Sequence, residues 1–143
     1  MQKTNIFLTN IRKIVRMYDG MLKPVCERYE LTPIEATIIS FLYNNAEKDT
    51  AADIAEFRML SKSNISKAVE SLIGKSLIKR RQDTADRRKI HLILTEKSAP
   101  ITAEIDAVRQ AFRERIFEGF TEKEIEEFTR FNQQIAENTG RRK

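Results

Sequence analysis

Residues 79–89 carry two groups of cationic side chains on either side of a short acidic segment, residues 83–86. The six cations are Lys79, Arg80, Arg81, Arg87, Arg88 and Lys89. Cations this close repel one another, so folding alone does not explain them. Lysine and arginine bind phosphate oxygens, and each contact releases condensed counterions from a nucleic acid. The stretch therefore predicts a phosphate-binding surface; the alternative, a solvated turn that protects an edge strand, does not require one sign of charge.

A second candidate site is the segment SKSNISK at residues 61–67. We expect Ser61 to cap a helix whose buried stripe is Ile65, Ala68, Val69 and Leu72. The outward side chains would then be Lys62, Ser63, Asn64, Ser66 and Lys67. Serine and asparagine pair with base edges in the major groove, and lysine reaches guanine or phosphate. Any surface helix exposes such residues, and only the position after a short helix and a tight turn favours DNA recognition.

The elements around these two sites predict a helix-turn-helix followed by a hairpin. Thr50 is expected to cap a short helix with Ala52, Ile54, Ala55 and Phe57 on its buried face, and Gly74 is expected to end the second helix in a left-handed conformation. The segments LIKRRQ and KIHLILT would pair as antiparallel strands around DTADRR. Together these elements make a winged helix-turn-helix.

Longer helices are predicted on both sides of this unit. Residues 5–30 form one amphipathic helix that we expect to be kinked at Pro24, and Thr32, Pro33 and Glu35 begin the next. After the hairpin, a helix from Thr95 or Ser98 keeps its apolar spacing as far as Phe120. Thr121 and Glu124 form a capping box for the last helix. The fold class is mostly α with a small antiparallel β-hairpin.

Composition and charge limit the classes of function. The net charge is +5, but residues 58–91 hold ten basic and three acidic residues while residues 101–138 hold five basic and nine acidic ones. The basic middle favours a polyanionic partner. The single Cys26 excludes an internal disulfide and fits a reducing cytoplasm. The one histidine lies in the hairpin, where no nucleophile–histidine–acid set is visible, and one histidine with one cysteine cannot make a Cys/His zinc site. We therefore expect no enzyme, no cofactor and no metal, and the lack of a long apolar run predicts no membrane partner.

The segments ESLIGKSLIKRRQDTADRR and DRRKIHLILT, with LTPIEATIISFL before them, resemble the MarR/SlyA family of winged-helix transcriptional regulators. The family's strongest mark is an Asp-x-Arg at the wing before a strand that ends in Leu-Thr, here Asp86 to Arg88 and Leu94-Thr95. The resemblance implies a homodimer on a pseudo-palindromic operator, with a recognition helix in each major groove and a wing in each minor groove. It implies an Asp86–Arg88 ion pair and Arg87 as the inserted residue, with insertion of Arg88 left open.

The same resemblance divides the chain into a lobe and its dimerisation helices. A single domain, residues 1–143, would comprise a winged helix-turn-helix lobe at 31–97 and dimerisation helices at 1–30 and 100–143. The residues themselves also favour a dimer, because many apolar side chains lie near the termini and would bury one another around a two-fold axis. These are Ile6, Phe7, Ile11, Phe112, Phe117, Phe120, Phe128 and Phe131.

The resemblance also implies a cleft for a phenolic or other small effector. Its candidate lining residues are Arg16, Met17, Tyr18, Met21 and Tyr43, although a helical stripe of this kind also fits plain packing. Cys26 could sense an oxidant or be a half-buried side chain. We therefore predict a cytoplasmic, double-stranded-DNA-binding repressor that a small molecule or oxidant releases. The alternative is a winged-helix module that binds another protein without specific DNA binding.

Overall fold

The computed structural model describes residues 2–140. The helices are α1 (Lys3–Arg28), α2 (Pro33–Asn44), α3 (Ala51–Arg58), α4 (Lys62–Gly74), α5 (Ala99–Ile116) and α6 (Glu122–Thr139). The strands are β1 (Ile78–Gln82) and β2 (Ile90–Leu94), and a short 3-10 turn at Glu96–Ser98 leads into α5. The predicted fold class, mostly helical with one antiparallel hairpin, is confirmed. Met1 and residues 141–143, at the ends of the predicted dimerisation segments, lie outside the described residues.

Local capping chemistry begins most of the helices where the sequence predicts. Thr32, Thr50 and Thr121 each form a capping box, in which the threonine hydroxyl accepts from the third helical amide and that residue's carboxylate accepts from the threonine amide. Ser61 accepts a hydrogen bond from the Asn64 amide at 3.2 Å and caps α4. Such caps satisfy amides that have no partner within the helix. The start of the recognition helix is therefore fixed by its own sequence.

The core lies around α2, which contacts α1, α4, α5 and β2. Its two central isoleucines, Ile38 and Ile39, are fully buried, and fully buried side chains of α3 and α4 surround them. These side chains are Ile54, Ile65 and Leu72. The predicted stripe on α4 is confirmed, since Ile65, Ala68, Val69 and Leu72 are all buried. The opposite face of α4 is left for solvent.

The hairpin is in register from Ile78 opposite Leu94 to Gln82 opposite Ile90. Because side chains alternate across a strand, Ile78 and Leu92 face the core from adjacent strands and are both buried. The amide of Leu92 donates to the Asp49 carbonyl at 2.8 Å, on the loop between α2 and α3. This bond attaches the outer edge of β2 to the helix-turn-helix.

Three helices end in a left-handed residue that is not glycine: Glu30 (φ 53°), Met59 (φ 55°) and Ser76 (φ 62°). The prediction that Gly74 adopts this conformation is wrong. Gly74 is the last residue of α4, and Lys75 after it still has a right-handed φ of −84°. The Leu77 amide donates to the Leu72 carbonyl at 3.0 Å, which makes Ser76 the residue that must turn left-handed.

Two further predictions differ from the structure: the buried face of α3 and the end of α5. Ala52 is exposed and Phe57 is 52% exposed, so the buried face of α3 is only Ile54 and Ala55. An eight-residue helix has room for little more than one turn of contact with the core. Phe120 lies outside α5, which ends at Ile116, because Gly119 turns the chain at a φ of +86° before Thr121 caps α6.

The outer helices are much less buried than the lobe. α6 has no buried residue, and its apolar face leaves Phe128, Phe131 and Ile135 between 43% and 56% exposed. The first half of α1 likewise exposes Ile6, Phe7, Leu8, Ile11 and Val15. α1 is a single helix that contains Pro24 in its interior. No helix within residues 2–140 combines the length and the apolar character that crossing a bilayer requires.

Candidate nucleic-acid interface

The outward face of α4 consists of the residues that the sequence assigns to base contacts. Lys62, Ser63, Asn64, Ser66 and Lys67 are all exposed. Ser61 and Ser63 lie at the helix N-terminus with their hydroxyl oxygens 3.5 Å apart. The amides of the first turn point out of this end and carry a partial positive charge. The face thus combines short hydrogen-bonding groups with two lysines on a helix whose other side is packed into the core.

The loop between β1 and β2 is held by its own backbone and by one carboxylate. The Asp83 amide donates to the Lys89 carbonyl, and the Lys89 amide donates to the Asp86 carbonyl, both at 3.0 Å. The Asp83 carboxylate accepts from the Ala85 amide at 2.9 Å and the Asp86 amide at 2.8 Å. Such an Asx-type turn pre-forms the loop without a glycine. Asp83, which the sequence marks only as part of the short acidic segment, therefore organises the whole tip of the hairpin.

Asp86 and Arg88 make the ion pair that the resemblance implies. The Asp86 carboxylate accepts from the Arg88 amide at 3.0 Å and from its Nε at 3.4 Å. The Arg88 side chain is 93% exposed, so this contact orients the guanidinium more than it stabilises the fold. Arg81, Arg87 and Lys89 are also exposed. The tip of the wing is a projecting, ordered group of cations.

Arg80 differs from the other wing cations because it is bonded to the recognition helix. It follows Ile78 on the same face of β1, the face that meets the core. At the edge of that face its guanidinium forms an ion pair with Glu70 of α4. The two candidate sites, α4 and the wing, are therefore joined as one surface.

His91 on β2 joins the wing to the helix-turn-helix at a second point. Its Nδ1 lies 2.6 Å from Asp49 Oδ1 on the α2–α3 loop, and its Nε2 lies 2.7 Å from Asp83 Oδ1 at the base of the wing loop. The two carboxylates, Asp49 first, raise the pKa of His91 against the opposing effects of desolvation and of Arg81. The same contact, with the loop amides, lowers the pKa of Asp83 to about 2. Sequence reasoning gave His91 no role, because its partners are remote in the chain.

Comparison with known proteins identifies this arrangement. Residues 29–89 match the model of the MarR family, a span that covers α2, α3, α4, β1 and the wing loop at residues 83–89. Over these residues, which are fewer than half of the chain, the protein is similar to the MarR family.

Solved structures of MarR proteins share the fold over nearly the whole chain. A MarR transcriptional regulator from Methanosarcina mazei is 18% identical with a TM-score of 0.80, covering 94% of this chain and 96% of its own. A MarR protein from Peptoclostridium difficile is 20% identical with a TM-score of 0.82, covering 97% and 90%. CouR from Rhodococcus jostii, solved with p-coumaroyl-CoA, is 21% identical with a TM-score of 0.75, covering 94% and 92%. The likeness therefore extends to α1, α5 and α6, beyond the part that the family model matches.

In the lobe formed by α2 to β2, the C-terminal end of α4 is bonded to α2 through a buried carboxylate. Glu35 is 2% exposed, and it accepts from Ser71 at 2.8 Å and from Lys75 at 3.0 and 3.1 Å. Burial raises the pKa of Glu35, but hydrogen bonds from the Thr32 amide, Ser71 and Lys75 outweigh it, and the pKa lies below its ordinary value. The sequence indicated only the capping role of Glu35. The structure adds that Glu35 fixes the position of α4.

A cavity of about 1070 Å³ lies where α1, α2 and α5 meet. Of the predicted effector residues, Tyr18 and Tyr43 line it, and Tyr18 packs edge-on against Phe112 with the ring centres 5.2 Å apart. Burial raises the pKa of Tyr18. Sequence reasoning missed three arginines that reach the cavity wall from α3 and α5. They are Arg58, Arg109 and Arg113.

The other predicted effector residues are not brought into this cavity. Arg16 lines a separate cavity of about 670 Å³ together with Asp19 and Cys26. Met17 and Met21 are half-buried on α1 and do not line the larger cavity. Four of the five predicted residues lie on α1, and one helix cannot direct all four side chains to one side, since consecutive positions differ by about 100°. The predicted cluster is thus divided between two faces of α1.

Cys26 is buried in the core at 8% exposure. Burial, and after it the charge of Glu35, raises the pKa of the thiol. The thiolate is the form that oxidants attack, and both effects disfavour it. The environment of Cys26 is that of a packed side chain.

Proposed function

We propose that this protein is a transcriptional repressor that binds a pseudo-palindromic operator as a homodimer and is released by a small-molecule effector. The observation that carries the proposal is the joined surface of α4 and the wing. The Arg80–Glu70 ion pair links a helix with an exposed polar face to a hairpin that presents cations. Duplex DNA needs these two elements in fixed relation, because the helix enters the major groove while the wing lies along the adjacent backbone.

Within this surface the two elements have different tasks. Ser63, Asn64 and Lys67 on the outward face of α4 would contact base edges, and Lys62 with the first-turn amides would bind a phosphate. Changes at Ser63 or Lys67 are therefore expected to alter sequence preference. Changes in the wing are expected to weaken binding to all sequences.

Arg87 is our candidate for the residue that enters the minor groove. Asp86 orients Arg88, whereas the Arg87 side chain makes no hydrogen bond or ion pair with any residue in the part of the chain that is described. A guanidinium with no partner in the protein reaches DNA without breaking a contact. Narrow A·T-rich minor grooves attract such side chains through their deeper negative potential. Arg80, already bonded to Glu70, would position the wing and contact phosphate only secondarily.

A homodimer would cover the apolar faces of α1 and α6. Their exposed side chains form an apolar surface larger than a lone polar-rimmed monomer normally keeps in water. Two-fold pairing of these faces would bury them and set two recognition helices about 34–36 Å apart, one turn of DNA. On this proposal residues 1–30 and 100–143 are the dimerisation helices, and residues 31–97 are the DNA-binding lobe.

The effector proposed here is an anion with an apolar body, bound in the 1070 Å³ cavity. Arg58, Arg109 and Arg113 would neutralise its charge, while Phe112 and Tyr18 would pack against the apolar part. CouR, a neighbour of the same fold, was solved with p-coumaroyl-CoA. Since the cavity lies between the lobe and α5, a bound effector would shift the lobe and spoil simultaneous contact with both half-sites. The buried Cys26 favours such a ligand over an oxidant as the signal.

The cellular setting follows from the same proposal. On this proposal the protein works in the cytoplasm, and its single cysteine is compatible with a reducing compartment. The surface is used for binding, and no catalytic role is proposed for it.

The test compares Arg87→Ala/Arg88→Ala with the wild type on the intergenic duplex upstream of the protein's own gene, at two salt concentrations. The variant is expected to bind roughly tenfold more weakly per lost arginine and to lower the salt slope by roughly one unit per lost phosphate contact. Lys23→Ala is the matched control, since it removes one exposed cation of α1 away from the wing. An unchanged slope in the double variant, or no duplex preference in the wild type, would favour the protein-binding module instead.

A further inference from the structure

His91 lies between two carboxylates that belong to separate loops. Asp49 is on the connection between α2 and α3, and Asp83 is the first residue after β1. The hydrogen bonds are short, 2.6 Å to Asp49 and 2.7 Å to Asp83, and the His91 side chain is only 13% exposed. The imidazole therefore spans the space between the helix-turn-helix and the base of the wing loop.

Both ring nitrogens face acceptors, so the bridge is complete only when both carry a hydrogen. An ionised carboxylate has no hydrogen to donate, and a neutral imidazole has one N–H and one lone pair. In the neutral form one of the two contacts would bring a lone pair against a carboxylate oxygen. The imidazolium instead donates to both sides and neutralises part of the charge of Asp49 and Asp83.

We propose that the Asp49–His91–Asp83 bridge positions the wing for DNA and that loss of one proton from His91 releases it, so that operator affinity falls as pH rises. The inference rests on the proposed function, because it gives the wing a role in DNA binding. The three residues are positioning residues on this view, and Arg87, Arg88 and α4 make the DNA contacts.

The bridge continues directly into the tip of the wing. The second oxygen of Asp83 accepts from the Ala85 and Asp86 amides, and the Asp86 carboxylate holds Arg88. Movement of Asp83 away from His91 would thus displace the turn that orients the wing arginines. Asp49 is itself anchored, since its carbonyl accepts from the Leu92 amide at 2.8 Å. The fixed end is the helix-turn-helix, and the wing loop is the end that is freed.

The charges around His91 determine the direction of the effect. Asp49 and Asp83 face the ring from the two loops and stabilise the imidazolium, while Arg81, directly across the hairpin on β1, opposes it. The net result is a raised pKa for His91, so the bridge persists to higher pH than an isolated imidazolium would and is lost as pH rises through that pKa. Asp83 stays ionised throughout, because its pKa is about 2.

The pKa of His91 can be measured directly because the chain has a single histidine. The NMR titration of its ring resonance in the free protein gives the pKa of His91 without assignment. Affinity for the upstream duplex, measured at constant ionic strength from roughly pH 6 to pH 9, should fall roughly threefold to tenfold with a matching midpoint. His91→Gln should bind like the high-pH wild type at every pH. Asp49→Asn should move the midpoint to lower pH.

Amide hydrogen exchange distinguishes positioning of the wing by the bridge from a direct effect of the His91 charge on DNA affinity. If the bridge positions the wing, the protection factor of the Asp86 amide should fall with the titration of His91. The Asn64 amide, bonded to Ser61 at the start of α4, is the internal control and should not respond. Unaltered Asp86 protection across the titration would overturn the inference, as would the same pH profile in His91→Gln.

The outcomes also separate this inference from the proposed function. If the wild type fails to bind the duplex at any pH while Asp86 protection still follows His91, the proposed function fails and the bridge remains as a structural feature. If the duplex binds and His91→Gln keeps the wild-type profile, the repressor proposal stands and the positioning role is wrong. Thermal unfolding of each variant at both ends of the range identifies any variant that does not fold.

Discussion

The lobe of α2 to β2 and the outer helices α1 and α6 bury their apolar residues in different ways. In the lobe, Ile38, Ile39, Ile54 and Ile65 are fully buried within one chain. α6 is as strongly amphipathic as any helix of the lobe, yet it has no buried residue. In the lobe the apolar faces of amphipathic helices are thus covered by other elements of the same chain, whereas the apolar face of α6 is not covered within residues 2–140. Amphipathicity alone predicts that the apolar face of a helix is covered, but it does not identify the element or the chain that covers it.

The difference assigns separate tasks to the two regions. On our proposal the lobe holds the complete surface for DNA, including the Arg80–Glu70 pair and the His91 bridge, within one chain. On our proposal the outer helices contribute the second copy of that surface. A second copy converts a weak single contact into a bivalent one. Variants in the outer helices should therefore affect assembly and DNA affinity together, while variants in the lobe core should affect folding.

The largest expected effect comes from a charge on the exposed face of α6. Phe131→Asp would place a carboxylate in the proposed dimer interface, where its desolvation has no compensating partner. We expect a monomer by sedimentation and a loss of operator affinity of roughly a hundredfold or more, since bivalent binding is lost. The secondary structure by circular dichroism should remain mostly helical, because the lobe core is untouched.

Gln133→Asp is the matched control for that substitution. It adds the same charge to α6 about 200° around the helix from Phe131, on an exposed surface away from the apolar face. Dimerisation and DNA affinity should be unaffected. Equal effects of the two substitutions, or a wild type that is monomeric at micromolar concentration, would remove the distinction between the two regions.

A smaller effect, confined to the lobe, is expected from Glu35→Ala. The change deletes one half of the α2 capping box and leaves Ser71 and Lys75 without their buried acceptor. Breaking a buried, hydrogen-bonded charge costs about 3 kcal/mol of unfolding free energy, measured by urea denaturation. Lys23→Ala, which removes an exposed partner of Glu27, should cost less than about 0.5 kcal/mol. Similar costs for the two variants would mean that Glu35 does not fix α4 to α2.

Most of the lobe could be predicted because its signals are local. The capping boxes at Thr32 and Thr50 and the stripe from Ile65 to Leu72 involve residues three or four positions apart, a spacing that the sequence states directly. The wing was also predictable from alternating strands around a polar loop. The exposure of Phe57 could not be predicted, because an eight-residue helix has too few apolar positions to define which of its faces packs against the core.

The contacts that fix the geometry of the site are remote in sequence. Glu35 and Ser71 are 36 residues apart, and His91 and Asp49 are 42 residues apart. The sequence around a lone histidine or a capping glutamate does not indicate that it has such a remote partner. The cavity is similar, because Arg58 and Arg109 come together only after α3 and α5 have packed. The sequence thus predicted that the candidate DNA-contacting residues are exposed, but not which residues hold them in position.

The smallest expected effects concern the end of α4, where the position of the left-handed residue was predicted wrongly. Ser76→Gly should raise the unfolding free energy by about 0.5–1 kcal/mol, because a left-handed conformation strains any residue with a Cβ. Gly74→Ala should also stabilise, by about 0.5–1 kcal/mol, because Gly74 is helical and a Cβ there meets no atom within 4 Å.

Together these two substitutions locate the end of α4 and return to the comparison of the two regions. If Gly74 were the left-handed residue, Gly74→Ala would destabilise and Ser76→Gly would not help, so the sign of each change decides between the two positions. The end of α4 lies in the lobe, away from the proposed dimer contact. Both gains should therefore be the same in the Phe131→Asp background as in the wild type, since distant and independent sites add. Gains that vanish in that background would mean that the lobe does not fold independently of the outer helices.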